Sequence, residues 1–171
     1  MTPPPPNPPI LNIDAVEFRS WEHGERFAGK RGDLGRRLGA GKLGYNLTVI
    51  PPGKRAYPFH CHRVNEEMFF VLAGQGALRI GGETHAIRPG DVIACPAGGA
   101  ETAHQIINTA GDAELRLLAV STNIYPEICE YPDSRKFGIY AEFPKGADGK
   151  RENLRFIERN QAGEKEYWEG E

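Results

Sequence analysis

The sequence is poor in cysteine, in net charge and in long apolar runs. Its 171 residues include three cysteines, an odd and scattered number that excludes a disulfide framework. Acidic residues number 23 and basic residues 21, so the chain lacks the basic field that attracts nucleic acid. No apolar run approaches the roughly 18–20 residues of a membrane helix, and six prolines stand within residues 1–9, where a signal peptide would be apolar. We therefore expect a cytoplasmic protein that binds neither nucleic acid nor membrane.

Glycine and proline are abundant instead. The 21 glycines and 14 prolines are together 35 of 171 residues, about 20%, against roughly 12% in average proteins. Neither residue is well tolerated inside a helix, so a helical bundle is disfavoured and a fold with many turns is favoured. The chain length suits one domain. Residues 1–9 are predicted to be a disordered or polyproline II tail.

Short strands separated by turn residues are predicted over residues 43–141, which we expect to form one all-β domain. Apolar and polar residues alternate there, or short apolar runs end at glycine and proline, as strands do. Turns recur about every 8–12 residues, a spacing typical of a sandwich or barrel, and Gly81-Gly82 predicts a hairpin. The predicted strands cover residues 44–50, 67–72, 77–80, 84–88, 92–94, 104–108 and 115–121.

Two extensions flank this domain. Residues 10–42 form an N-terminal extension that is predicted to be irregular. Its arginines and lysines either attract an anionic ligand or partner, or belong to a solvated loop. Residues 142–171 form a C-terminal extension that is rich in charge but contains apolar anchors such as Tyr167 and Trp168. We predict that this second extension packs on the barrel, because a purely disordered segment contains few aromatic residues.

The predicted strand at residues 67–72 is apolar on both faces. Phe69 and Val71 point to one side, while Phe70 and Leu72 point to the other. A strand in a single barrel wall exposes one face to water. A second layer must therefore cover the other face, either the N-terminal segment or another subunit, and we predict a homodimer.

Two histidines and a glutamate form the sharpest pattern in the sequence, and a third histidine follows. Residues i and i+2 of a strand share a face, so His60 and His62 present two imidazoles to one space. Glu67 begins the next strand and His104 lies on a later one. Three imidazoles and a carboxylate suit one divalent transition metal per chain, namely Fe, Mn, Ni, Zn, Co or Cu, and are too rich in nitrogen for Ca or Mg. Such a metal keeps coordination positions open for a ligand.

The turn residues around these side chains resemble the two motifs of the cupin superfamily. The motifs are Pro52-Gly53 with His60-x-His62-x4-Glu67-x6-Gly74, and Gly90-Asp91-x4-Pro96-x-Gly98 with His104-x3-Asn108. Two loops are longer than in the usual motifs, with six residues between Gly53 and His60 and five between Gly98 and His104. The resemblance implies a double-stranded β-helix, or jelly-roll barrel, between N- and C-terminal extensions. It also implies metal ligands at His60, His62, Glu67 and His104.

Further segments, some of which overlap the motifs, resemble a narrower group of small single-domain bacterial cupins. These proteins are mostly uncharacterised, and some are labelled sugar-phosphate-isomerase-like. The likeness includes Asn65-Glu66-Glu67, Cys95-Pro96-Ala97-Gly98 and residues 167–171. It says little about the substrate.

Several side chains leave alternatives open. Glu66 could replace Glu67 as a ligand, although the motif spacing selects Glu67. Cys61 points away from the two histidines, and the cysteines are predicted to be small buried fillers. A tyrosine beside a metal could act as an acid or base. Polar residues near the site strands are Tyr45, Asn46, Thr48, Tyr57 and Gln105, and the cations near the histidine strand are Arg55 and Arg63, each with a plain surface or packing role as the alternative.

These features predict a metal-binding protein that takes a small organic ligand. Isomerase, epimerase, dioxygenase and lyase reactions all occur on this fold, and the fold does not choose among them. The open metal positions favour an enzyme whose catalytic residues the sequence does not identify. The alternative is a non-catalytic protein that binds or senses a small molecule.

Overall fold

The computed structural model describes residues 7–143 and 153–159, which form thirteen β-strands and two short 3₁₀ helices. The helices are Ile13–Ala15 and Pro132–Ser134. The strands are β1 Arg19–His23, β2 Phe27–Asp33, β3 Leu43–Ile50, β4 Cys61–His62, β5 Glu67–Ala73, β6 Gly76–Ile80, β7 Glu83–Ile87, β8 Val92–Cys95, β9 His104–Ile107, β10 Leu115–Thr122, β11 Glu127–Tyr131, β12 Lys136–Glu142 and β13 Asn153–Arg159. Within the described ranges, no helix has the length and apolar character required to cross a bilayer.

The strands pair antiparallel in three sheets. The largest sheet has the order β1-β2-β3-β10-β5-β8, and the smaller ones are β13-β12-β11-β4 and β7-β6-β9. The two smaller sheets meet where His60 and His104 exchange backbone hydrogen bonds, with N···O distances of 3.2 and 2.7 Å. The two joined smaller sheets form one wall and the largest sheet forms the other, and the interior lies between them. The all-β jelly roll predicted from the sequence is confirmed.

The strands predicted within the central domain are all present, with ends that differ by at most one residue. The predicted hairpin joins β6 to β7 in the expected register. Its turn requires glycine at Gly81, where φ is 51° and where a Cβ would lie 2.7 Å from the carbonyl oxygen of Glu101.

The N-terminal extension is not irregular, and this prediction was wrong. Strands β1 and β2 form a hairpin that continues the largest sheet beyond β3. Gly29 and Gly32 of β2 leave space that the side chains of Trp21 and Val16 fill from neighbouring segments. A strand with glycine at such positions has no apolar alternation, so its sequence does not show the pattern that predicts a strand.

The N-terminal segment also covers part of the outer face of β5. Leu72 packs in a cluster that contains Val16, Leu34 and Leu47. The additional layer predicted from the two-sided apolar strand therefore comes at least partly from the chain itself. At the other end of the chain, β13 pairs with β12 at the edge of its sheet. Tyr167 and Trp168 lie outside the described residues.

The interior changes character along three neighbouring strands. β10 is paired on one side with β3 and on the other with β5, so inward residues form successive rungs across the wall. From one end of the barrel to the other, the rungs are Ile50 with Leu115; Thr48, Leu117 and Val71; Asn46, Ala119 and Phe69; and Glu67 with Ser121. The first rungs belong to the main hydrophobic core. The last rungs line a cavity and, apart from Phe69, consist of small or polar residues.

Candidate metal centre

The side chains of the predicted ligand set converge from three strands. His62 ends β4, Glu67 begins β5 and His104 begins β9, while His60 lies just before β4. Glu67 Oε2 lies 2.9 Å from His104 Nε2, 3.5 Å from His62 Nε2 and 3.9 Å from His60 Nε2. Three imidazole nitrogens therefore face one carboxylate oxygen.

The four side chains are mostly buried, with exposed fractions of 4% for His104, 15% for His60, 16% for His62 and 20% for Glu67. The candidate donor atoms of His60, His62 and Glu67 all lie within 4.8 Å of one another. His104 lies outside this group of three and joins it through its contact with Glu67. Glu66 is exposed to solvent, so Glu67 is the carboxylate that faces the imidazoles.

Two of the histidines are oriented by the backbone just before them. The Nδ1 atom of His60 lies 2.8 Å from the carbonyl oxygen of Pro58, and that of His104 lies 3.4 Å from the carbonyl oxygen of Thr102. A carbonyl oxygen can only accept, so each Nδ1 carries the proton and donates it. When the ring is neutral, its lone pair is then on Nε2, which faces Glu67; when the ring is protonated, Nε2–H donates to the carboxylate, as at the 2.9 Å contact of His104.

His62 reaches the same orientation through a side chain. Its Nδ1 lies 3.3 Å from Cys129 Sγ. Its Nε2 is buried and has no hydrogen-bond partner among the described residues. Leaving a buried polar atom unpaired is costly, and this one points at a carboxylate between two further imidazoles. The donor set therefore fits a divalent transition metal.

The loop between His62 and Glu67 is fixed by a buried carboxylate. Glu127 Oε1 accepts the backbone N–H groups of Arg63 and Val64, and Glu127 Oε2 accepts that of Asn65, at 3.1, 3.3 and 2.8 Å. The Asn65 side-chain amide also donates to Glu127, and Asn65 Oδ1 accepts the Thr122 hydroxyl at 2.8 Å. This network keeps the two ends of the loop, and so two of the candidate ligands, at a set separation.

The electrostatic environment favours an ionised carboxylate. Burial raises the pKa of Glu67, but the hydrogen bond from His104 and the close contact with His62 outweigh it and hold the pKa well below its usual range. Burial, with the positive charge that His104 could carry, lowers the pKa of His60 to about 4. Burial also opposes a charged His62, but its contacts with Cys129 and Glu67 raise its pKa to about 10. A divalent cation bound here would displace the proton that His62 and Glu67 hold between them.

A cavity of about 470 Å³ opens beside these residues. Asn46, Thr48 and Tyr57 line it, as considered from the sequence, whereas Gln105 and Tyr45 do not. Gln105 lines a separate small cavity beside His60 and His104 and donates to the Tyr57 carbonyl oxygen at 2.7 Å, and Tyr45 packs against the N-terminal cluster. The cavity is also lined by Arg31, Asn65, Phe69, Ala119, Ser121, Thr122, Asn123, Tyr125, Glu127, Cys129, Tyr131 and Tyr140.

A pair of tyrosines on β11 and β12 forms one wall of this cavity. The Tyr131 ring stacks on His60, with centroids 6.1 Å apart and planes at 23°. The hydroxyls of Tyr131 and Tyr140 are 3.0 Å apart. Gly138 leaves room for Tyr140, since a Cβ there would lie 2.9 Å from the tyrosine ring. Sequence reasoning missed both tyrosines, because only the register of β11 with the histidine strand places them here.

The charged residues considered from the sequence do not reach the cavity. Arg63 pairs with Glu130 at 2.7 Å on the surface, and Arg55 lies 3.4 Å from Gln105. Arg31 lines the cavity instead, from a position on β2 opposite Thr48 of β3. It is the one arginine or lysine among the described lining residues.

Comparisons with known proteins agree with this geometry. Residues 46–121 match the family model of the cupin domain. This segment of the chain is a cupin domain. It runs from the middle of β3 to the end of β10 and includes the four predicted ligands.

Related structures extend the likeness to most of the chain. A sugar phosphate isomerase of the cupin superfamily from Silicibacter pomeroyi superposes with a TM-score of 0.72 and 25% identity, covering 93% of this cupin and 98% of that chain. A predicted oxalate decarboxylase from Thermotoga maritima has a TM-score of 0.58 and 22% identity, covering 67% and 99%, and shares the fold.

The match to a curated relative covers a smaller part of the chain. An uncharacterized protein of Methanocaldococcus jannaschii is 30% identical over 74 residues, which are 43% of this chain and 55% of that protein. The match therefore spans about half of the relative's length.

Proposed function

We propose that this cupin is a metal-dependent enzyme that binds one divalent transition metal through His60, His62, Glu67 and His104. The observation that supports this proposal is the shared orientation of the three imidazoles. Each has a partner at Nδ1 and directs Nε2 toward Glu67 Oε2. Iron, manganese, cobalt, nickel, copper and zinc all accept such a donor set.

The substrate we propose is a small anionic molecule that carries hydroxyl or carbonyl oxygens. When bound, the metal would supply a Lewis acid that polarises a substrate oxygen. Arg31 would bind the anionic group, because a guanidinium matches a phosphate or carboxylate. The Tyr131 hydroxyl, hydrogen-bonded to Tyr140, would hold or move a proton beside the reacting carbons. Sugar phosphates are the first candidates, since the Silicibacter pomeroyi relative is named a sugar phosphate isomerase.

The test begins with the metal content of the purified protein, measured by elemental analysis. The loaded protein is then heated with sugars, sugar phosphates, keto acids and phenols, and the change in melting temperature is measured for each. We expect one metal per chain, the largest shift with a phosphate-bearing sugar, and isomerised product by NMR. A shift without turnover would favour the non-catalytic binder, and oxygen uptake with bound iron would favour a dioxygenase.

The role of Arg31 has a matched control in Arg37. Both are exposed arginines of the N-terminal extension, but Arg31 lines the cavity. Arg31→Met should weaken binding of a sugar phosphate about tenfold or more while leaving binding of the parent sugar unchanged, because a charge-assisted contact contributes about 1.5–3 kcal/mol. Arg37→Met should change neither. Equal weakening for sugar and sugar phosphate would contradict an anion-binding role.

The homodimer and the cytoplasmic location stay predictions. The dimer is tested by the mass in solution from light scattering at micromolar concentration. A monomeric mass would contradict it and would leave the N-terminal segment that contributes Val16 and Leu34 as the additional layer on β5.

A further inference from the structure

Cys129 occupies an unusual place for a buried thiol. It lies in the middle of β11, directly opposite His62 in the antiparallel pair with β4. Residues paired in this way point to the same side of the sheet, and the Cys129 side chain lines the cavity. Its Sγ atom is 3.3 Å from His62 Nδ1. Cys129 is buried as predicted, but it also contacts a candidate metal ligand, which a plain filler does not.

His62 does not use the partner that the other histidines use. His60 and His104 each donate from Nδ1 to the carbonyl oxygen two residues earlier. For His62 that carbonyl belongs to His60, and it accepts the backbone N–H of His104 at 2.7 Å. The strand pairing that closes the barrel thus engages this carbonyl, and the partner that His62 has in the structure comes from the neighbouring strand, at Cys129.

Glu127 is the other acceptor near His62, but its oxygens are occupied. Its Oε2 lies 3.8 Å from His62 Nδ1, beyond hydrogen-bond distance. The carboxylate accepts the backbone N–H groups of residues 63–65 and 128, together with the side-chain amide of Asn65. The sulfur of Cys129 is the acceptor within reach.

We propose that Cys129 is a positioning residue for the metal, and that its sulfur accepts the Nδ1–H of His62 and thereby directs the Nε2 lone pair to the metal. This inference rests on the proposed metal site. The ring nitrogen that binds a metal is selected by the hydrogen bond that the other nitrogen makes. Loss of such a partner typically lowers metal affinity about 10- to 100-fold. Cys129 does not coordinate the metal itself.

The experiment compares the native protein with Cys129→Ala, Cys129→Ser and Cys61→Ala. Cys61 is the matched control. It is also buried, but it packs with Phe59 and Ala103 on the opposite face of the sheet that contains β4 and β11. Each protein is titrated with Zn²⁺ against a competing chelator and with Co²⁺ under visible absorption spectroscopy. Cys129→Ala should bind about 10- to 100-fold more weakly. Cys129→Ser, whose hydroxyl also accepts, should recover most of the affinity, and Cys61→Ala should match the native protein.

A second readout separates positioning from folding. The Co²⁺-loaded protein should show exchangeable Nδ1–H proton signals shifted by the metal, and the signal of His62 should exchange faster with water in Cys129→Ala. Native affinity together with native exchange in Cys129→Ala would overturn the inference, as would a sulfur-to-cobalt charge-transfer band that made Cys129 a ligand.

If the native protein bound no metal at all, the proposed function would fail. If the native protein bound metal and the Cys129→Ala change had no effect on affinity or exchange, the positioning role alone would fail. Should Cys129→Ala not fold, Cys129→Ser and the exchange signal of the native protein decide.

Discussion

The two ends of the barrel are built on the same strands but differ in what those strands place inside. At the closed end, Ile50 and Leu115 are fully buried in the hydrophobic core. Along the same strands at the open end stand Asn46, Ser121 and Glu67, which line the cavity. Large apolar side chains give way to small and polar ones within about three rungs. Packing and chemistry therefore occupy separate parts of one continuous sheet, and substitutions should separate stability from metal binding.

The largest effect is expected at the open end, from His62→Ala. This change removes a nitrogen that faces Glu67, so bound metal should fall to background by elemental analysis while far-UV circular dichroism stays native. The control is His85→Ala, which removes an exposed histidine of the β6–β7 hairpin. Equal metal content in the two variants would contradict the assignment of metal binding to the open end of the barrel.

A large effect of the opposite kind is expected from Leu117→Ala. Leu117 is 1% exposed and packs in the main core, so its truncation should lower the free energy of unfolding by about 2–5 kcal/mol in a denaturant titration. Metal stoichiometry should not change, because the residue lies on a rung below the donors. Loss of metal without loss of stability would show that the two ends are coupled.

The smallest effect on stability is expected from Gly138→Ala. A Cβ there would displace the Tyr140 ring and lengthen its contact with Tyr131. The free energy of unfolding should change by less than about 1 kcal/mol, because only the far end of one side chain moves. Turnover should fall and metal binding should persist. Gly82→Ala, where nothing lies within 4 Å of the new methyl group, is the control, and an equal loss of turnover there would count against the tyrosine pair.

Local pattern was enough to predict the central strands and the candidate ligand set. Alternation and turn residues locate strands such as 115–121, because each strand carries its own signal. His60, His62 and Glu67 are close in sequence, and strand geometry brings the first two together. The structure adds that Glu67, rather than Glu66, is the carboxylate inside.

The rest depended on contacts between distant segments. Cys129 and Tyr131 look like ordinary buried residues until the register of β11 with β4 places them beside His62 and His60. Gly29 interrupts the alternation of the hairpin that contains Arg31, so local pattern does not predict this strand. Local pattern offers Arg55 and Arg63 as cations near the histidines, each with a surface role as the alternative, and neither reaches the cavity. A single sequence carries no signal for which strand an edge will pair with, so these relations could not be found from local pattern.

The rung between His60 and His104 has a consequence for how the protein folds. These two residues are both the backbone link between the smaller sheets and half of the proposed donor set. Closing the barrel and assembling the site are therefore a single event, and it requires two segments far apart in the chain to meet. Such long-range contacts form slowly because loop closure must come first. A metal that binds only the closed arrangement would stabilise it by mass action, so the fraction of closed molecules would rise with the metal concentration.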